Sequence, residues 1–495
     1  MNAEHRGTAM GYSRQLERVG PVSVQTKLFY AAGEGPGAYM NLAIGGLLLL
    51  YYNQILGANA AHVSTALGLA LLLDAVSDPL VGAFSDRLKF KLGRRHPLMY
   101  AASVPMGVFI SLLFSPPSEL EGAMLIAWLL VFLVLTRLTF TVFSVPWSAL
   151  IAEFSEDYEE RTVIASYRIL VGPLLTAISG FLIYTFWFAG SEQFPQGQLN
   201  PLNYESFGPL IGGLMTAWAL VSTHFTKREI PYLLVPDQKP STSLSEILTL
   251  IYSALRSRNY RIVLISILIF FGILGTLGQF DMYVNTYFWK LTGEQIGIVG
   301  LFTIMAPLLA FVLASSIQAR FQKQHILSFV LLGQMILSMA VVLFRLGDIF
   351  PPNESAFFLP LLGGFSIAGT FLSAVGAMIV FSMTADLADE QEYVYGTRQE
   401  GVLASGIAFS TKAVSSLGVV IAGFLLQYFV GFPAGSIAGA SGQTSVDIDP
   451  DVLFRLVITD AVIVNSLILI PAFLIRKYSL SSDQVRNMQN ELRGR

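Results

Sequence analysis

Apolar residues in this chain run in long unbroken stretches separated by short polar segments, with no strict alternation and no single helical stripe. A stretch of about 17–25 apolar residues is what an α-helix needs to cross the hydrocarbon core of a bilayer. Such stretches fall at 28–55, 63–86, 97–115, 123–152, 163–189, 206–224, 261–288, 296–316, 325–345, 356–384, 401–430 and 453–475. The pattern predicts an all-α membrane protein with twelve transmembrane helices. It excludes a transmembrane β-barrel, whose strands are short and alternate.

A longer polar segment at 225–258, with Pro231, Pro236, Pro240 and a Ser/Thr cluster, divides the helices into two sets of six. The expected organisation is a tail at 1–27, an N-terminal six-helix bundle at 28–224, a linker at 225–258, a C-terminal six-helix bundle at 259–476 and a tail at 477–495. A short echo supports the division. Ala152-Glu-Phe-Ser-Glu-Asp-Tyr-Glu-Glu-Arg161 follows the fourth stretch and Ala385-Asp-Leu-Ala-Asp-Glu-Gln-Glu follows the tenth, as in a parallel repeat.

Composition agrees with the membrane class. The 495 residues are 54% hydrophobic and 13% charged, against roughly 25% charged in soluble domains. The chain has no cysteine, so disulfides, thiolate catalysis and Cys-ligated metals are excluded. Residues 1–24 are polar, with Arg6, Arg14 and Arg18, and carry no apolar core of a cleavable signal peptide. The first apolar helix is therefore expected to act as an uncleaved anchor.

Basic residues sort by loop. They mark the N-terminal tail, the second loop (Arg87, Lys89, Lys91, Arg94, Arg95), the fourth (Arg161, Arg168), the linker (Lys227, Arg228, Lys239, Arg256, Arg258, Arg261) and the C-terminal tail. The alternate loops at 56–62, 116–122, 190–205 and 431–452 carry none. The positive-inside rule then places both termini in the cytoplasm of a multi-pass protein of the cell (inner or plasma) membrane.

Against this background the charges inside apolar stretches stand out. Asp74 and Asp78 lie four residues apart and share one helix face. Each carboxylate at mid-bilayer costs roughly 2.5–3.5 kcal/mol on insertion scales, which points to a polar cavity, a bound cation or both. The pair suits a hard monovalent cation or a proton; the alternative is a buried structural pair neutralised by Arg137 or Lys412. Arg137 and Lys412 either compensate these acids or bind an anionic group of a substrate. Asp281 sits among aromatic residues in Gln279-Phe-Asp-Met-Tyr-Val-Asn285-Thr-Tyr-Phe-Trp289-Lys290, a setting for a sugar or amphipathic ligand that also resembles an interfacial aromatic belt. His5, His62, His96, His224 and His325 all fall in the tail or near span ends, away from any mid-membrane proton relay.

A second charged set lies at the cytoplasmic ends. Asp86, Arg87, Arg94 and Arg95 follow the second helix, and Glu153, Glu156, Asp386 and Asp389 follow the fourth and tenth. These acids and bases are expected to pair as an inner gate when that side is closed; the alternative is a plain solvated loop.

Several motifs together resemble one family. Asp74-Ala-Val-Ser77-Asp78-Pro79, Gly93-Arg94-Arg95, Val145-Pro146-Trp147-Ser148-Ala149-Leu150, Asp157-Tyr-Glu-Glu-Arg161-Thr162, Tyr167-Arg168 and Gly396-Thr-Arg398-Gln-Glu400-Gly401 are similar to those of the melibiose-permease-like glycoside–pentoside–hexuronide:cation symporters of the major facilitator superfamily. The resemblance spans the whole chain. It implies the major facilitator fold, with two six-helix bundles, alternating access, and uptake coupled to sodium, lithium or protons. It further implies a cation site at Asp74, Asp78 and Thr141, with Ser77 where the family pattern has an asparagine, and substrate contacts at Arg168, Trp147 and Lys412. Two departures stand against it: the family's sugar-binding acids of the first and fourth helices fall at Ala38 and Ser144. Glu34, one turn before Ala38, is the candidate replacement.

The sequence thus predicts a cation-coupled symporter of a sugar, glycoside or uronate, with a carrier of amphipathic or lysolipid-like solutes as the alternative. Nothing pairs a nucleophile with a base, cradles a phosphate or spaces metal ligands for hydrolysis, so an enzyme is not expected. The partners implied are a small-molecule substrate, a coupling cation and the lipid bilayer. No other cofactor, nucleic acid or obligate protein partner is implied, and the linker and tail are too short for a signalling domain.

Overall fold

The structure, a computed structural model, describes residues 12–13, 16, 18, 20–88, 90–236, 255–395, 400–435 and 448–493. Lys89, Lys239, Pro240 and the Gly396–Gln399 part of the sequence motif lie outside them.

The apolar stretches fold as helices because a backbone in lipid must satisfy its own N–H and C=O groups. In order they are α1 (24–55), α2 (Ala60–Arg87), α3 (His96–Leu113), α4 (Gly122–Phe154), α5 (Tyr158–Trp187), α6 (Pro201–Tyr232), α7 (Arg258–Phe288), α8 (293–320), α9 (Lys323–Leu346), α10 (Phe358–Tyr395), α11 (400–430) and α12 (Pro450–Lys477). Polar caps start many of them: Asn59 accepts from the Ala61 and His62 amides, Asp157 from Glu159, Asn200 from Leu202 and Ser257 from Tyr260. Thr292 and Gln295 form a reciprocal capping box at α8.

Among the described residues, eleven of these helices are long and apolar enough to cross a membrane. The twelfth, α1, is divided into short α, 3-10 and π segments. Its Gly33 and Gly35-Pro36-Gly37 let it approach its neighbours closely: a β-carbon at Gly33 would overlap Trp147, and one at Gly35 would lie 2.5 Å from Trp218 Cγ. The break brings Glu34 to the interior.

The halves α1–α6 and α7–α12 meet where α2 crosses α11, α5 meets α8 and α1 meets α7. Three features differ from expectation. The linker does not begin at 225, since α6 continues as a 3-10 turn to Tyr232 and residues 233–236 pack on the N-terminal half. There the Leu234 amide donates to the Glu153 carbonyl (2.9 Å), and β2 (Val235–Pro236) pairs antiparallel with β1 (Tyr12–Ser13). The echo has two local structures: Ser155 and the Asp157 cap end α4 and restart α5, whereas Ala385–Glu392, built of good helix formers, continues α10. The C-terminal tail contains α13 (Ser482–Arg493), held to α10 by Gln489 on Asp389 (2.7 Å) and Tyr393 on Glu491 (2.9 Å).

Candidate functional site

One helical turn separates Asp74 from Asp78 on α2, and both carboxylates converge on the same two partners. The Thr141 hydroxyl of α4 lies 2.7 Å from Asp74 Oδ1 and 3.2 Å from Asp78 Oδ1. The Lys412 ammonium of α11 lies 3.1 Å from Asp74 Oδ2 and also donates to Asp78 Oδ2. Arg137, one turn before Thr141 on α4, brings Nη1 to 3.8 Å from the same Asp74 Oδ2. Two carboxylates, a hydroxyl and two cations from three helices thus form one cluster that bridges the halves. Ser77 differs from expectation: its hydroxyl donates to the Asp74 carbonyl (3.1 Å), so it is spent on its own helix backbone.

A second cluster lies between α1, α4 and α5. Arg168 forms an ion pair with Glu34, and its guanidinium stacks 4.3 Å above the Trp147 ring. Trp147 is not open to a ligand. Its indole N–H donates to the Tyr30 carbonyl (2.9 Å), its ring stacks on Tyr30 and it is only 3% exposed. Trp147 thus holds Arg168 and packs against the α1 break, with its ring covered on both sides by Tyr30 and Arg168.

Both clusters face one cavity of about 1620 Å³ lined by the two halves, including Glu34, Asp74, Arg137, Arg168, Asp281 and Lys412. Asp460 of α12 also lines it and was not singled out from the sequence, where Arg455 five residues earlier obscured it. Arg455 is exposed and bonds back to Asp451. The available signal was the acid itself within an apolar run. Asp281 and Asp460 line the same cavity from α7 and α12.

Three strong ion-pair sets at the face carrying the termini each lie within one half. Glu153 accepts from Arg94 (2.7 Å) and Arg95 (2.8 Å), and Arg95 also meets Asp86 (2.7 Å). Asp386 pairs with Lys323 of its own half (2.6 Å), and Arg87 is exposed. In this state Glu153 and Asp386 join helices of one bundle; the pairing expected across the halves concerns the state in which that side is closed. Hydrogen bonds that join the halves lie at the acid cluster and toward the opposite face. The end of the cavity remote from the termini is thus the joined, closed side.

The chain belongs to the MFS/sugar transport protein family, whose model matches residues 29–482. It is 25% identical to the uncharacterised symporter YnaJ of Bacillus subtilis over 97% of this chain and 96% of that one. It is 23% identical to the isoprimeverose transporter of Lactiplantibacillus pentosus over 77% of this chain and 75% of that one. To the sodium-dependent lysophosphatidylcholine symporter 1-A of Danio rerio it is 30% identical, over 34% and 32%. The chain is thus a multi-pass membrane transporter of the glycoside–pentoside–hexuronide:cation symporter type, with the major facilitator fold, and not an enzyme.

Proposed function

We propose that this member of the family couples entry of one monovalent cation to uptake of a sugar, glycoside or uronate, with both termini in the cytoplasm of the cell membrane. The observation that carries the reading is the Lys412 ammonium lying between the Asp74 and Asp78 carboxylates. A lysine there occupies the position a sodium, lithium or proton takes in the coupled state. Thr141 supplies a neutral oxygen to the same locus. Ser77 borders it without joining it. Substrate hydroxyls or a carboxylate meet Arg168, Glu34, Arg137, Asp281 and the released Lys412 along the cavity wall. Charged pairs such as Arg94–Glu153 hold each bundle rigid while the halves rock, and Asp86, Arg87, Asp386 and Asp389 lie at the rim that closes in the opposite state.

One observation favours a second reading. The likeness to a lysophosphatidylcholine symporter, together with Ala38 and Ser144 in place of acids, suits an amphipathic solute with an anionic head.

A thermal-shift screen of the purified protein tests both. Sugars, uronates and lysolipids are each added with sodium, lithium or choline, at two pH values. A ligand at about 100 times its Kd adds roughly 2.7 kcal/mol to the native state. The expected result is a sodium- or lithium-dependent shift by a sugar or uronate that disappears in Asp78→Asn. A lysolipid-only shift transfers the substrate to the second reading. A sugar shift that survives Asp78→Asn, with unchanged cation dependence, removes the acid pair from the mechanism.

A further inference from the structure

The acid cluster contains two positive groups that differ in their freedom to leave. Lys412 ends a flexible four-carbon stem, and its side chain is 40% exposed on the cavity wall. Arg137 is 13% exposed, its guanidinium stays charged at any working pH, and its Nε is buried with no hydrogen-bond partner. Both cations address the same oxygen, Asp74 Oδ2, at 3.1 and 3.8 Å. Lys412 can swing into the wet cavity, whereas Arg137, planar and set into α4 beside Thr141, is fixed.

Resting on the proposal that Asp74 and Asp78 take the coupling cation, we infer that Arg137 sets the charge capacity of that site at one. Two carboxylates and one immovable guanidinium leave a net single negative charge. Lys412 neutralises it when no cation is bound, and one monovalent cation replaces Lys412 when it arrives. Without Arg137 the site would carry two negative charges, so that Lys412 could stay while the cation bound. Arg137 is thus a positioning charge rather than a ligand: it weakens cation binding enough for release and ties each binding event to the departure of Lys412. A fixed like charge this close to a binding cation in a partly desolvated site changes its affinity by an order of magnitude or more.

The test is a titration of sodium and of lithium against choline at constant ionic strength, following the melting temperature of the purified full-length protein. In the wild type the response saturates with a slope of one cation. In Arg137→Gln the midpoint falls at least tenfold, while Arg137→Lys, which keeps the charge, stays within about threefold of wild type. A midpoint unchanged or raised in Arg137→Gln overturns the inference. A charge-compensation pair decides it independently, and stands in if Arg137→Gln cannot be purified. Asp74→Asn leaves Asp78 facing Arg137 and loses the cation response; Asp74→Asn/Arg137→Gln restores a net single charge and regains it. A folded double variant without any response counts against the inference. No cation or pH response in the wild type removes the underlying proposal, and the inference with it, whereas a normal wild-type response with an unaltered Arg137→Gln removes the inference alone.

Discussion

At the end of the cavity remote from the termini, the halves are joined by neutral groups. Tyr283 donates to Asn53 (2.8 Å) and Tyr287 to Gln54 (3.0 Å); Gln54 donates to the Pro433 carbonyl (2.9 Å), and Gln198 to Thr286 and the Leu291 carbonyl (both 3.1 Å). Asn53, Gln54, Gln198 and Tyr283 are fully buried. At the terminal end the strong contacts are charged, Arg94 and Arg95 on Glu153 and Lys323 on Asp386, and each lies within one half. The difference follows from energetics. A neutral hydrogen bond contributes about 1 kcal/mol net, so a seal built from several is firm yet can be exchanged for water and re-formed. A buried ion pair costs about 3–5 kcal/mol to break one-sidedly. Such pairs suit a body that must stay rigid, and neutral amides and hydroxyls suit a joint that must open in every cycle.

The comparison breaks most visibly at Glu153. If the terminal-face ion pairs serve the rigidity of one bundle, Glu153→Gln should lower stability by about 3 kcal/mol, because it leaves Arg94 and Arg95 buried against a neutral amide. Arg95 keeps Asp86 and the Ser85 hydroxyl, which holds the loss at the lower end of that range. The melting temperature should fall while the balance between the two open states is unchanged. A large shift in that balance at unchanged stability would show Glu153 to be a gate after all.

The next effect belongs to the joint. Where α2 crosses α11, Gly423 has no room for a side chain: a β-carbon there would overlap Ser64 Oγ and lie 2.5 Å from the Ala60 carbonyl. Gly423→Val should wedge the two halves apart on the closed side at a cost of about 2 kcal/mol, a population change of roughly 30-fold. The chain has no native cysteine, so a single cysteine at Asn285 in the cavity wall reports the change. Its labelling from the face opposite the termini should rise, and unchanged labelling in a folded variant would place the joint elsewhere.

These two ends were unequally legible in the sequence. Twelve apolar stretches and the isolated acids Asp74 and Asp78 are conspicuous because lipid penalises every exception, and the structure brings that pair to Thr141, Lys412 and Arg137 in one cluster. Charged loops were equally conspicuous, but a charge seen in sequence does not reveal its partner. Glu153 lies close in space to Arg94 because α4 returns to the loop between α2 and α3, a fact of packing. The neutral seal was hidden: Tyr283 and Tyr287 look like interfacial aromatics, and Asn53 and Gln54 like the end of a span. Trp147 was visible as a residue, but its burial under Arg168 was not. Asp460 is visible as an acid in an apolar run, but the sequence does not show that it faces the cavity.

The smallest effect is the sharpest test of the joint. Gln54 joins three groups: it donates to the Pro433 carbonyl and to Asn53 Oδ1 (2.5 Å) and accepts from Tyr287; the neighbouring Asn53 carbonyl accepts from the Gly435 amide (2.8 Å). Gln54→Leu has nearly the same volume, so it neither wedges nor empties the interface. It removes the hydrogen bonds and leaves the buried Tyr287 hydroxyl without that partner. When the closed side opens, water satisfies this group, so the penalty of about 1.5 kcal/mol falls on the closed state alone. Labelling at Asn285 from the face opposite the termini should therefore rise roughly tenfold, less than in Gly423→Val. The melting temperature should fall by less than in Glu153→Gln. Gln54→Glu separates hydrogen bonding from charge: a carboxylate still accepts from Tyr287 but repels the Pro433 carbonyl, so it should open the closed side more than leucine does. If both substitutions leave labelling at the wild-type level, the neutral bonds are incidental to a joint held by helix packing at Gly423.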